Sequence, residues 1–357
     1  MSNTILTPEI VAKEALMVLT GNLVMADLVH RDYSDEFVTV GDTVTIRKPA
    51  KFVAKNFTGQ TQTQDVTEEA VSVKMDRFRD VTVAVTSKEL SLDIADFSRQ
   101  VVEPAMQAIA QAIDQDLLAV AASQASFKQR SEAETASLKD VAALAKHLDV
   151  KKAPAQNRSL VLHPEHKYRY ALAENLSSAA YSGDNLMLRD ALLGRLYTLE
   201  TYMDQNAPDS GAKNPGTATG FTVTGTAGNS YVTVADVEGT IAAGDAFILD
   251  GYLYRFLQGG TGKLNIDQPL ITSCSAKSVT PVNKPMSVAF HRNGIALVSR
   301  KLALPMGASN AAYASAGGLG VRVVYDYDAA TKTDKISFDV IYGIKALDTD
   351  LICGLVG

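Results

Sequence analysis

His163, Pro164, Glu165 and His166 place two imidazoles and a carboxylate within four residues, a set that could ligate a metal ion. Zinc hydrolases that use two histidines of one helix space them as H-E-x-x-H, one full turn apart. Here the histidines are three apart and a proline marks a helix start between them, so they fall on a strand-to-helix junction. The pair is expected to be incidental, which leaves a metal-dependent hydrolase without its metal. Asp114 and Asp116 are two apart on a predicted helix. They point to different sides of it, cannot form a carboxylate dyad, and are expected to be solvated or salt-bridged across an interface. Gly259-Gly260-Thr261-Gly262-Lys263 lacks the GxxxxGK[ST] spacing of a phosphate loop and has no strong helix after it, so a turn between strands is expected. Cys274 and Cys353 have no CxxC or Cys/His partner and read as small apolar fillers. No GxSxG elbow is present. The expected set of catalytic, cofactor-binding and metal residues is therefore empty, and nothing argues for an enzyme or a cofactor.

The elements that would carry these residues are ordinary globular ones. The 357 residues are 46% hydrophobic, enough for two or three subdomains, and the net charge of −6 without a Lys/Arg cluster lacks the footprint of a nucleic-acid-gripping protein. Contact with DNA is expected to be weak and non-specific. The N-terminus carries Glu9, Lys13 and Glu14, unlike a signal peptide, and no run approaches the roughly 18 apolar residues of a membrane span.

Thr7-Pro8 and Gly21-Asn22 bound a first helix over about 8–20. From Phe37 to about Ser87 the pattern alternates, in FVTVGDTVTIRKP, AVSVKM and DVTVAVT, around a polar stretch KFVAKNFTGQTQTQDVTEE. This predicts a long two-stranded arm with a solvated tip, which needs something beyond its own subunit to lie on. FSRQVVEPAMQAIAQAIDQDLLAV predicts a helix over about 97–122, roughly 39 Å long. Its stripe is Val102, Met106, Ile109, Ile113, Leu117 and Val120, its cap Asp96 or Ser98, and Pro104 loosens its start. A helix at 137–150, a strand RSLVL, a Pro164-initiated helix and a strand LYTLETYM follow, an α+β order. Between about 207 and 284 the chain turns Gly, Thr, Ser and Val rich, with short strands FTVTG, YVTVA, AFILDGYLYRF and KLNI, and then returns to the earlier style at MSVAFHRNGIALVSRKL. That predicts a small all-β module inserted into a loop, and the chain then ends on a hairpin of VRVVYDYD and KISFDVIYGIKAL.

The order of NLVMADLVHRDY, GDTVTIRKP, VEPAMQAIAQAIDQDL, RSLVLHPEHKY, GRLYTLETYMDQN, GDAFILDG, AFHRNGIALVSRKL and DVIYGIKAL resembles the major capsid (coat) proteins of tailed double-stranded DNA bacteriophages. Within them it looks like the branch typified by the coat protein of a short-tailed Salmonella phage, which carries an inserted domain. The resemblance implies an α+β fold of the Hong Kong ninety-seven type. Its parts would be an N-terminal arm (1–36), an extended β-loop (37–88), a peripheral domain with the long spine helix (89–135), and an axial domain in two parts (136–206 and 285–318) around the inserted β-domain (207–284). The C-terminal strands (319–357) would return to the peripheral domain. It further implies a structural protein of the virion, assembled in the host bacterial cytoplasm as hexamers and pentamers of itself, with a scaffolding protein and a portal as partners. A capsid decoration or surface-binding protein is the alternative. Some wider relatives cross-link a loop lysine to an asparagine. Lys51, Lys55 and Asn56 lie in the corresponding loop, but this branch generally does not cross-link, so solvated loop residues are expected.

Overall fold

Proline sets where two of the helices begin. Pro8 opens α1 (Pro8–Asn22), and Pro164, behind His163 as N-cap, opens the short helix Pro164–Ala171. The computed structural model describes residues 8–31, 43–47, 70–86, 98–130, 138–173, 193–211, 215–305, 310–328, 331 and 333–357. The proposed arm tip with Lys51, Lys55 and Asn56, and Asp96, lie outside these residues. The chain divides into two compact units, one of 1–23, 30–113 and 296–347, the other of 24–29, 114–295 and 348–357.

In the first unit, β1 (Thr43–Arg47) and β2 (Ala70–Lys74) pair antiparallel, as the alternation predicts. β3 (Arg77–Thr86) follows but pairs along β19 (Thr333–Ala346). β19 belongs to a sheet ordered β16 (Ile295–Ser299), β19, β18 (Leu319–Asp328), β17 (Ala311–Ala316). Along β19 the alternate residues Ile336, Phe338, Val340 and Tyr342 are buried, with Asp339 buried between them, and α1, which buries Val11, Ala15, Leu16 and Leu19, covers β17 and β18. The base of the predicted arm does not stand free. Val44, Ile46, Val73 and Met75 point into a core with Ala296, Val298 and Leu347, so alternating valines give this base a partner in its own unit.

The second unit holds a mixed six-stranded sheet, ordered β4 (Phe127–Arg130), β20 (Ile352–Val356), β15 (Met286–His291), β5 (Arg158–Leu162), β7 (Leu199–Met203), β6 (Arg195–Leu196). β5, β15 and β20 are buried at every position, including the polar Arg158, Ser159, Ser287 and His291 among their apolar residues. α4 (Leu138–Val150) packs on the sheet through Val141, Leu144 and Leu148.

In the same unit, β8 (Gly220–Gly225), β9 (Tyr231–Glu238), β12 (Gly262–Asn265) and β13 (Cys274–Val279) form one antiparallel sheet. β10 (Ala246–Leu249), β11 (Tyr252–Arg255) and β14 (Pro281–Val282) form another. The two share a core in which Phe247 stacks on Phe256 at 4.8 Å and meets Phe221 edge-on at 5.7 Å. The β10–β11 turn is Asp250-Gly251, both at positive φ (52° and 85°), the combination a two-residue type I′ hairpin requires. The chain enters and leaves this module side by side. Ser210 N–H donates to Lys284 O at 2.7 Å and Met286 N–H to Pro208 O at 3.1 Å.

The long helix starts with a π turn (Ser98–Val102) and continues as α3 (Glu103–Gln124). Pro104 has no N–H for the carbonyl of Gln100, and the winding is wide at that point without breaking the rod. Its buried face is broader than the predicted stripe. Ala105, Ala110, Leu118, Ala121 and Ala122 are buried beside Val102, Met106, Ile109, Ile113 and Leu117, whereas Val120 is half-buried. Alanine carries no pattern signal, yet here it widens the buried face beyond the stripe.

Candidate functional site

Three polar clusters lie in the second unit, and each is built from residues far apart in sequence. At the start of α5 (Pro164–Ala171), His163 Nδ1 accepts from Glu165 N–H at 3.1 Å, an N-cap made by an imidazole. His163 N–H donates to Ser287 Oγ at 2.8 Å, and the same hydroxyl lies 2.6 Å from His166 Nδ1. Ser287 therefore brings the two histidines together, with ring centroids 6.3 Å apart. No sequence pattern marks it, because it stands on β15, 121 residues beyond His166. Burial drives the His166 pKa down to about 3, with Arg169 and His163 acting in the same direction, so the ring is neutral near pH 7. Glu165 is taken by Arg169 at 3.2 Å, one helical turn on. Among the described residues no group of three or more His, Cys, Asp or Glu side chains is placed to hold a metal ion. This junction fastens α5 to β15 and β5, and its neutral imidazole is a poor proton donor near pH 7.

The second cluster corrects the expectation for Asp114. It is neither solvated nor paired across an interface: it is 2% exposed and accepts from Val24 N–H at 2.8 Å and Met25 N–H at 3.1 Å, at the start of α2 (Met25–Leu28). Two oxygens for two backbone donors that would otherwise be unsatisfied is the reason a carboxylate stands on the apolar side of α3. Asp116 is half-buried.

The third cluster has no counterpart in the sequence reading. Lys128 of β4 forms an ion pair with Asp267, their side chains 1% and 7% exposed. Asp267 also accepts from Arg255 N–H at 3.0 Å, and the Arg255 guanidinium donates to Ser210 O at 2.8 and 3.1 Å. One carboxylate thus ties β4, at the edge of the six-stranded sheet, to the β-module. Burial pulls the Lys128 pKa down, and Asp267 pulls it back up.

The remaining candidates are structural. Gly259 to Lys263 is a turn into β12. A Cβ on Gly259 would stand 2.6 Å from Ile241 O, so only glycine fits, and Lys263 Nζ sits over the Tyr231 ring at 3.7 Å instead of facing an anion site. Cys353 is fully buried and its thiol is pushed up to about 12 by burial, while Cys274 is half-buried with its thiol raised less far. A thiol reagent at pH 8 is accordingly expected to modify Cys274 alone in the native protein, slowly, and Cys353 only after unfolding. Mass spectrometry before and after denaturant checks this, and two modified thiols in the native protein would contradict it.

No family model matches the sequence, and no curated protein matches it either. Solved structures do match the fold. A chain of Mycobacterium phage Che8 is 15% identical, with a TM-score of 0.57, over 93% of this chain and 90% of that one. The capsid of the cyanophage P-SCSP1u gives 11% identity and a TM-score of 0.56 over 94% and 88% of the two chains. The capsid of Ralstonia phage GP4 gives 9% and 0.53 over 92% and 87%. The chain has a phage capsid fold. At these identities the likeness is one of backbone and topology. The clusters at Ser287, Asp114 and Asp267 each join elements distant in sequence. Among the described residues no helix is long and apolar enough to cross a membrane.

Proposed function

We propose that the chain is a major capsid protein, which assembles with copies of itself into the icosahedral shell that encloses a phage double-stranded DNA genome. The observation that carries this is the extent of the fold match: about nine-tenths of both chains, for the capsids of P-SCSP1u and GP4, at TM-scores of 0.56 and 0.53. In this reading α3 is the spine of a peripheral domain (89–135) that residues 319–357 complete. The N-terminal arm is 1–36, the extended β-loop 37–88, the axial domain 136–206 with 285–318, and 207–284 an inserted β-domain as in the short-tailed Salmonella phage branch. Function is geometry rather than catalysis. Several modest interfaces per subunit become strong in a closed shell, because once one forms the others are effectively intramolecular. The net charge of −6 suits a container that holds DNA only by weak, non-specific contact and later lets it go. Hexamers and pentamers of the chain would form in the host cytoplasm with a scaffolding protein and a portal, and the finished protein would reside in the virion capsid.

Electron microscopy of the purified chain, alone and with a scaffolding partner, is expected to show shells or capsomers. A strictly monomeric species under every assembly condition would overturn the reading. Addition to preformed capsids without any self-built shell would make the chain a decoration protein instead.

A further inference from the structure

A polar cleft of about 550 Å³ opens within the second unit, between α3, the loop that follows β7 and the neck through which the chain enters and leaves the β-module. That is the size of a small-ligand pocket, larger than the voids of ordinary packing. Gln115 of α3 and Gln205 of the loop line it, both exposed and neither in a hydrogen bond among the described residues. Arg255, the last residue of β11, lines it too. Its Nε and Nη2 donate to Ser210 O, and its Nη1 has no partner among the described residues. The carboxylate that acts on it, Asp267, is already paired with Lys128, so two cations share one anion. Asp209, on the neck, accepts from the Asn283 side-chain amide at 3.2 Å and forms no ion pair with Arg255 among the described residues. Gly211 N–H donates to Asn283 Oδ1 at 2.9 Å, and a Cβ on Gly211 would stand 2.6 Å from that oxygen, so this wall is built around a glycine. On the α3 side Ala119 and Ala122 have nothing beyond Cβ to fill the space.

A carboxamide offers donors and an acceptor together, the complement of a peptide main chain. The uncommitted edge of a guanidinium is the complement of a carboxylate. A phosphodiester backbone would suit Arg255, but it has acceptors only and meets like charge at Asp209, whereas a peptide brings N–H groups to that carboxylate. The chain itself is rich in acids, with 40 Asp and Glu against 34 Lys and Arg. We propose that the cleft receives an extended, acid-bearing segment of a second copy, its carboxylate on Arg255 and its main chain on Gln115, Gln205 and Asp209. This rests on the chain assembling with copies of itself. It also gives the β-module a task in that assembly: Gln115 stands on α3 and Arg255 on the module, so the bound segment ties one to the other.

Substitutions at exposed positions of the full-length chain test it, with circular dichroism melts of the unassembled subunit as the control for folding. Ala119→Trp fills the cleft and is expected to raise the concentration needed for assembly about tenfold, the loss of one good contact, at an unchanged melting temperature. Gln115→Glu, the same shape with a negative charge, is expected to raise it as well, and Gln115→Lys to leave it at or below the wild-type value. A role in packing alone would not produce that dependence on sign. A benzophenone cross-linker in place of Gln205 is expected to give a doubled-mass species in assembled particles and not in free subunits, with the label on a peptide that contains Asp or Glu. A wild-type chain that never assembles would sink the self-assembly reading and this inference with it. Normal assembly of Ala119→Trp and Gln115→Glu, equal effects of Gln115→Glu and Gln115→Lys, no doubled-mass species, or label on nucleic acid alone would each overturn the inference and leave that reading intact.

Discussion

Replacing Asp267 with alanine is expected to lower the unfolding free energy by about 3–5 kcal/mol, the range typical of breaking a buried ion pair from one side. The variant leaves the Lys128 ammonium, 1% exposed, without its anion and under the unfavourable influence of the neighbouring Arg255 guanidinium. For a domain stabilised by 5–15 kcal/mol such a loss is large. Lys128→Met combined with Asp267→Asn removes both charges and keeps an oxygen for Arg255 N–H, so that double variant is expected within about 1.5 kcal/mol of the parent. The direction with pH is also set. Lys128 without Asp267 binds its proton still more weakly when folded than its ordinary value of 10.5, so the unfolded chain holds the extra proton and the deficit shrinks as pH rises toward 10. Urea unfolding followed by circular dichroism at pH 7 and 9.5 measures all of this. Equal losses in the single and double variants would assign the effect to packing and not to charge.

The parts that were legible in the sequence are those in which one residue type meets one local rule. Pro8 and Pro164 start helices, and alternation in KISFDVIYGIKAL becomes a strand with Ile336, Phe338, Val340 and Tyr342 inside, whereas AFILDGYLYRF, read as one strand, turns at Asp250-Gly251 into two. Gly259 to Lys263 is the turn that its wrong spacing for a phosphate loop implies. What was not legible depends on a partner chosen by the fold. Asp114 looks like a solvent-facing acid until Val24 and Met25 arrive, 90 and 89 residues away. Lys128 and Asp267, 139 residues apart, carry no local hint that they meet, and Ser287 is one serine among many until it lies between two histidines. The alanines of α3 fail for another reason. They are buried, but the periodicity of large apolar side chains does not register them. The polar groups missed by pattern join strands and helices.

Excising residues 207–284 and joining the flanks through a short glycine-serine linker is expected to leave a folded subunit that does not build stable shells. Among the described residues the Phe221, Phe247 and Phe256 cluster draws its buried members from the module, between Phe221 and Val279, and the α4–β5 cluster draws none from it, so the cut passes between these two cores. The chain enters and leaves the module side by side, since Met286 N–H, just outside the cut, donates to Pro208 O, just inside it, at 3.1 Å, so a short linker can bridge the flanks at little cost. The cut also removes Asp267, yet it should be milder than Asp267→Ala, because the module that buries Lys128 leaves with the anion and water returns to the ammonium. Comparing the two variants separates a stranded charge from a missing domain. Circular dichroism reports whether the subunit folds, and electron microscopy with thermal melting of any particles reports the shell. Normal particles of unchanged thermal stability would show that the module has no part in assembly, whereas loss of the folded signal would show that it belongs to the subunit's own core.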